Sequence, residues 1–105
     1  MAYGMRGDVL SYALNQRVFA CGHHAVTIAG AATGGAVGVN VAGVKKATDT
    51  ILVALDINGD TDAAVTLPPY IYSVTDGTAF TVDLEGVANN GVTDITVFVN
   101  WAVLR

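Results

Sequence analysis

The stretch from Thr93 to Leu104 constrains the fold most, because its apolar side chains recur at every second position. One parity is apolar throughout: Ile95, Val97, Val99, Trp101 and Val103. The other parity is polar at Asp94, Thr96 and Asn100 and apolar at Phe98 and Leu104. Successive side chains of a strand point to opposite faces, so this period indicates a β-strand with one buried face. Because the second parity also has apolar members, we expect both faces to be covered in part, as in a central strand or in a strand whose outer face meets a partner.

A turn sequence precedes this strand. Asn89-Asn90-Gly91 supplies residue types that tolerate positive φ. We therefore expect a tight connection from Phe80–Leu84 into the last strand, so that the chain ends in a β-hairpin.

Strand-like segments of similar length fill the rest of the chain. They are Arg17–Ala29, Ala36–Val41, Thr50–Ile57, Val65–Leu67, Tyr70–Thr75 and Thr78–Leu84. The first reads as one interrupted strand or two short ones, with His23 and His24 at a bend. Short strands separated by glycine-rich turns are typical of a sandwich or a small barrel. The predicted core residues are Ile51, Val53, Leu55, Ile95, Val97, Val99 and Trp101.

Residues 1–17 differ from the remainder. We expect them to form either a capped helical turn or an extended arm, and their apolar content is high for a chain terminus. This segment packs either on the chain's own sheet or on a neighbouring subunit, and both alternatives stay open. The interface candidates in it are Tyr3, Met5, Arg6, Val9 and Leu10. Residues 18–105 are expected to form a single β domain.

The composition indicates assembly. Hydrophobic residues make up 52% of the chain and charged residues 13%, against roughly 25% charged in an ordinary soluble domain. A domain of this size cannot bury that much apolar surface alone, so we expect other subunits to cover part of it. The formal net charge is −4 and there is no basic stripe, so we expect no nucleic-acid partner.

The segment from Val18 to Val44 lacks charged residues, but its glycines and its strand-like alternation speak against a membrane span. Cys21 is the single cysteine, which excludes an internal disulfide and fits folding in a reducing cytoplasm. Between Ala20 and Gly22 it is expected to be a small buried hydrophobe.

Few residues invite chemistry. Asp56, Asn58, Asp60 and Asp62 place oxygen ligands at alternate positions, as in the first half of a calcium-binding EF-hand loop. The loop then departs from the pattern, with Thr61 where glycine belongs and Leu67 where glutamate belongs. We therefore expect an Asx-rich turn rather than a metal site. No nucleophile stands beside a base in the sequence and no phosphate-binding glycine loop is present, so we expect neither an enzyme nor a cofactor.

Between about Lys46 and Trp101 the chain resembles small structural proteins of tailed bacteriophage virions. The matching pieces are Lys46–Leu55, Tyr70–Thr75 with Asp76-Gly77-Thr78, Asn89-Asn90-Gly91, and Thr96–Trp101. The resemblance implies a β-sandwich or jelly-roll-like subunit, a decoration or cement protein on the capsid exterior. It also implies assembly as a trimer or dimer, binding to the major capsid protein or other virion proteins, and synthesis in the host cytoplasm.

Two other functions stay open. The protein is alternatively a tail, baseplate or fibre component of the virion. The third possibility is a free-standing ligand- or carbohydrate-binding β-sandwich module, because aromatic residues such as Tyr70 and Tyr72 stack on sugars where they are exposed.

Overall fold

The computed structural model describes residues 17–105, which form an all-β fold without a helix. The strands are β1 (Val18–Ile28), β2 (Ala36–Asn40), β3 (Thr50–Asp56), β4 (Ala63–Val65), β5 (Tyr70–Thr75), β6 (Ala79–Asp83), β7 (Val87–Asn89) and β8 (Ile95–Leu104). The predicted all-β class is thereby confirmed. The predicted arm lies outside the described residues except for Arg17.

Three antiparallel sheets make up the fold. The first has the order β1-β8-β3, the second β2-β6-β5, and the third pairs β4 with β7. β8 is therefore a central strand, as its two apolar parities predicted. It is flanked by two edge strands, because β1 and β3 each pair with β8 alone among the described strands.

The inner faces of the first two sheets share one hydrophobic core. Its buried members are Ile28, Val39, Val41, Val44, Phe80, Val82, Leu84, Val87, Ile95, Val97, Val99 and Val103. Ile51, Val53, Leu55 and Trp101 are half-buried and pack against this cluster. The ring of Phe80 in β6 meets that of Trp101 in β8 edge-on, with 5.5 Å between the centroids. The edge-to-face contact joins the two sheets as a sandwich.

The predicted C-terminal hairpin is wrong. β7 intervenes between β6 and β8 and pairs with β4, and β8 pairs with β1 and β3 rather than with β6. The Asn89-Asn90-Gly91 segment instead leads from one sheet to another. Asn89 is the last residue of β7, and none of the three residues has the positive φ that their types suggested. Residue types that tolerate turns also do not specify which strand pairs with the next.

β1 is one continuous strand of 11 residues, so the bend predicted at His23 and His24 is wrong. The two histidines do point to opposite faces, with His23 exposed and His24 half-buried. The glycine that suggested an interruption has a packing role, since a Cβ on Gly22 would lie 2.6 Å from the ring of Trp101. Glycine thus lets the indole lie directly against the β1 backbone.

A buried asparagine organises the entry to β8. Asn89 is 1% exposed, and its Nδ2 donates to the carbonyl oxygens of Ile28 (2.9 Å) and Thr93 (2.8 Å). Its Oδ1 accepts from the Gly91 N–H at 2.9 Å. One side chain therefore hydrogen-bonds to three backbone groups, at the end of β1 and in the segment that leads into β8.

At the opposite end of the β1-β8-β3 sheet, Arg105 links the end of β8 to the segment between β2 and β3. Its guanidinium donates to both carboxylate oxygens of Asp49, at 2.9 and 3.0 Å, and to the carbonyl of Gly43 at 2.8 Å. It also covers the ring of Phe19, 3.8 Å from the centroid. The hydrogen bond from Arg105 is the main reason that the pKa of Asp49 falls from 3.8 to about 2.

Candidate functional site

The most distinctive surface is the side of the β1-β8-β3 sheet that faces away from the core, called here the outer face. From β1 it presents Cys21, His23, Ala25 and Thr27. From β8 it presents Thr96, Phe98, Asn100, Ala102 and Leu104, and from β3 Thr50, Leu52, Ala54 and Asp56. The residues from β8 are those of its second parity, which the sequence predicted to be partly covered. No described element lies over them: Leu52, for example, is 53% exposed.

The strand register arranges the outer face in rows. Cys21, Ala102 and Leu52 form one row across the three strands. His23, Asn100 and Ala54 form the next row. Each row contains small side chains, Cys21 and Ala102 in the first and Ala54 in the second. A shallow open depression of about 270 Å³ lies where β3 and β8 meet, lined by Leu52, Val53, Ala54, Asn100, Trp101 and Ala102.

An aromatic pair, His23 and Phe98, lies on the outer face. The imidazole of His23 stacks on the ring of Phe98, with 4.3 Å between centroids and 19° between planes. Nδ1 of His23 donates to Oδ1 of Asn100 at 2.5 Å. The contacts fix the orientation of His23 although it is exposed, so the face presents a preformed shape.

Charge is nearly absent from the outer face. Asp56, at one end of β3, is its single permanently charged residue, and no Lys, Arg or Glu belongs to it. Exposed sheet faces of ordinary domains carry polar residues at most such positions. A sheet face on which about half of the residues are apolar and one is charged is the kind of surface that other protein surfaces cover.

The outer side of the β2-β6-β5 sheet is different. The hydroxyl of Tyr70 donates to Oε1 of Glu85 at 2.8 Å, and this hydrogen bond is the main reason that the pKa of Tyr70 rises to about 12. Asp83 lies beside them and accepts from the Glu85 N–H. Tyr72 is 65% exposed on the same strand as Tyr70. This side is polar and acidic.

The calcium candidates are not brought together. Oδ1 of Asp56 accepts from the Asn58 N–H at 2.8 Å, and Oδ1 of Asp60 accepts from the Asp62 N–H at 2.9 Å. Each carboxylate thus closes a local Asx turn. Within residues 17–105 no three His, Cys, Asp or Glu side chains are grouped to hold a metal ion.

Two other predictions concern single residues or segments. Cys21 is exposed on the outer face, so the prediction of a buried cysteine was wrong. Residue type and small neighbours do not reveal which face of an edge strand is covered. The interface candidates Tyr3, Met5, Arg6, Val9 and Leu10 lie outside the described residues.

No protein-family model, curated protein or solved structure matches the chain. Residues 17–105 contain no helix with the length and hydropathy needed to span a membrane.

Proposed function

We propose that this protein is a non-enzymatic structural subunit of a virion, a decoration or cement protein that binds the capsid exterior through its outer face. The observation that carries the proposal is the outer face of the β1-β8-β3 sheet, which no described element covers, which is about half apolar and which has one charged residue, Asp56. The resemblance of Lys46–Trp101 to virion structural proteins supports the same function, and this range contains β3 and most of β8. A cement protein needs shared buried area rather than chemistry.

The size of the outer face sets the binding mode. Three strands spaced about 4.8 Å apart and about 30 Å long give a face of roughly 400 Å². Covering it buries roughly 800 Å² on the two partners together, of which about half is apolar, so it stabilises a complex by about 10 kcal/mol at about 25 cal/mol per Å². Loss of translational and rotational freedom on binding costs about 4–15 kcal/mol, which is similar to this stabilisation. One subunit alone therefore binds weakly, and firm attachment requires several linked copies.

Labelling of particles tests the proposal. Immunogold against the protein, applied to virus particles from a culture that expresses the gene, is expected to decorate the heads. Gold on tails or baseplates would favour the tail, baseplate or fibre alternative over capsid decoration. The absence of the protein from particles would overturn the virion assignment.

A pair of matched variants identifies the surface used. Leu52→Lys places a charge on the outer face, and Tyr72→Lys places the same charge at a comparably exposed site on the opposite sheet, 65% against 53% exposed. We expect Leu52→Lys to abolish binding to particles and Tyr72→Lys to leave it intact. The reverse result would rule out the outer face as the attachment surface.

The ligand-binding alternative has one observation in its favour, the exposure of Tyr72 beside Tyr70. It predicts glycan binding by a free monomer that Tyr72→Lys eliminates and Leu52→Lys preserves. A glycan array probed with the wild type and both variants separates this function from virion assembly.

A further inference from the structure

The edge strand β1 is unusually open to pairing. It is 11 residues long and contains no Asp, Glu, Lys, Arg or Pro, and among the described strands β8 is its one partner. Proteins normally protect such an edge with charge, proline, a bulge or a covering element. The edge strand β5, by contrast, follows Pro68-Pro69 and carries an irregularity between Ile71 and Ser73. In β1 the irregularity lies between Val18 and Ala20, so residues 20–28 form a regular edge.

The hydrogen-bonding direction of β1 follows from its end. Arg17 and Arg105 exchange both backbone hydrogen bonds, at 3.0 and 2.8 Å. Bonded and non-bonded pairs alternate in an antiparallel ladder, so the odd-numbered residues of β8 bond to β1. Their partners from Ala20 onward are even-numbered. The backbone N–H and C=O groups that point to the free edge therefore belong to Cys21, His23, Ala25 and Thr27.

We propose that a second copy of this chain pairs with this edge, β1 against β1, antiparallel about a two-fold axis beside His24. The inference rests on the proposed function and deepens it by naming the first partner. A two-fold axis between identical strands makes the interface self-complementary. The four edge residues then exchange about eight backbone hydrogen bonds between the two copies.

Side-chain parity and strand length select this register. A shift by one residue would place core-facing side chains on the outer face, so the axis must pass beside a residue rather than between two. Centring on His24 uses all of the regular edge, 20–28, whereas centring on His23 shortens the regular overlap to 20–26. In the chosen register Ala20 lies opposite Ile28 of the partner subunit and Gly22 lies opposite Val26 of the partner subunit. Each of these pairs joins a small side chain to a larger one.

The pairing also resolves the shortfall in area. Two joined sheets form one six-stranded sheet with a continuous outer face of roughly 800 Å². This matches the roughly 800 Å² that each partner contributes to a standard stable interface. The dimer is thus the unit that is large enough to attach firmly.

Cysteine cross-linking tests the register. Cys21 lies opposite Thr27 of the partner subunit, and Cα atoms of a bonded pair are about 5.5 Å apart, within the range for a disulfide. Positions 21 and 27 of one chain are separated by about 20 Å, so no bridge forms within a chain. Thr27→Cys is therefore expected to form a disulfide-linked dimer rapidly under mild oxidation.

Three matched proteins complete the experiment. The wild type, Ala25→Cys and Ala54→Cys are expected to remain unlinked, because none places two thiols opposite each other in this register. Linkage through Ala25→Cys instead would overturn the axis beside His24, and linkage through Ala54→Cys would overturn edge pairing in favour of face-to-face contact. Absence of linkage in all four proteins, each folded by circular dichroism, would overturn the proposal.

The outcome is separable from that of the proposed function. Linked dimers with no protein in virus particles would refute the virion role and leave the pairing. Labelled heads together with unlinked Thr27→Cys would refute the pairing and leave the virion role.

Discussion

Removing the amide of Asn89 is expected to destabilise the fold strongly. Asn89→Ala deletes the three hydrogen bonds to Ile28, Thr93 and Gly91 and leaves their backbone groups without the amide. At about 1 kcal/mol for each of the three bonds, the loss is about 3 kcal/mol. That is a large part of the 5–15 kcal/mol that is typical of a domain.

Asn89→Asp separates hydrogen bonding from shape. An ionised carboxylate cannot donate to the two carbonyl oxygens and brings a negative charge toward them. Burial should raise the pKa of this carboxyl in the folded state above its unfolded value. The folded state then binds the proton more tightly, so the variant should regain stability as the pH falls below that raised pKa.

Urea unfolding followed by fluorescence of the single tryptophan measures both effects. Asn90→Ala is the control, because Asn90 is the exposed neighbour in the same turn. A loss of less than about 0.5 kcal/mol in Asn89→Ala, or equal effects of both alanine variants, would refute the view that the amide holds this junction together.

Three further predictions follow from local contacts. Because the pKa of Asp49 is lowered to about 2, its stabilising effect is present above pH 3.8 and is lost as the pH falls through 2. Arg105→Met should remove most of this acid dependence, measured by urea titrations at several pH values, because the hydrogen bond from Arg105 is the largest of several causes of the lowered pKa. Glu85→Gln should bring the pKa of Tyr70 down from about 12, and a spectrophotometric titration that finds it unchanged would contradict the assigned hydrogen bond. Gly22→Ala should displace the indole and destabilise the fold by about 1–3 kcal/mol, measured by thermal melting, whereas a shift within error would mean that the ring moves freely.

The strands were predictable wherever a periodic pattern was strong. Tyr70–Thr75 was predicted with the bounds that β5 has, and the two apolar parities of β8 reported its central position correctly. Such patterns report which faces of a strand are buried, but not which other strands bury them. Pairing partners depend on distant segments, so the path of the chain from β6 through β7 to β8 was not readable from the turn residues.

The outer face was visible in the sequence only as apolar residues on the second parity, such as Phe98 and Leu104 of β8. Such residues predict cover on both faces of a strand, by the same chain or by a partner. In residues 17–105 no element covers this face. A sequence does not distinguish an exposed apolar side chain from a buried one. Only the register of Leu52 with Ala102 and Cys21 shows that these three residues lie on one surface.

The central claim is that this chain works as an assembled subunit rather than alone. The most direct test is the absolute mass of the purified protein by light scattering after size exclusion, over a series of concentrations and salt. The account predicts a discrete species of twice the 10.8 kDa chain mass that persists on dilution and changes little with salt, because its contacts are backbone hydrogen bonds and apolar surface. A monomer of 10.8 kDa at every concentration would contradict the claim.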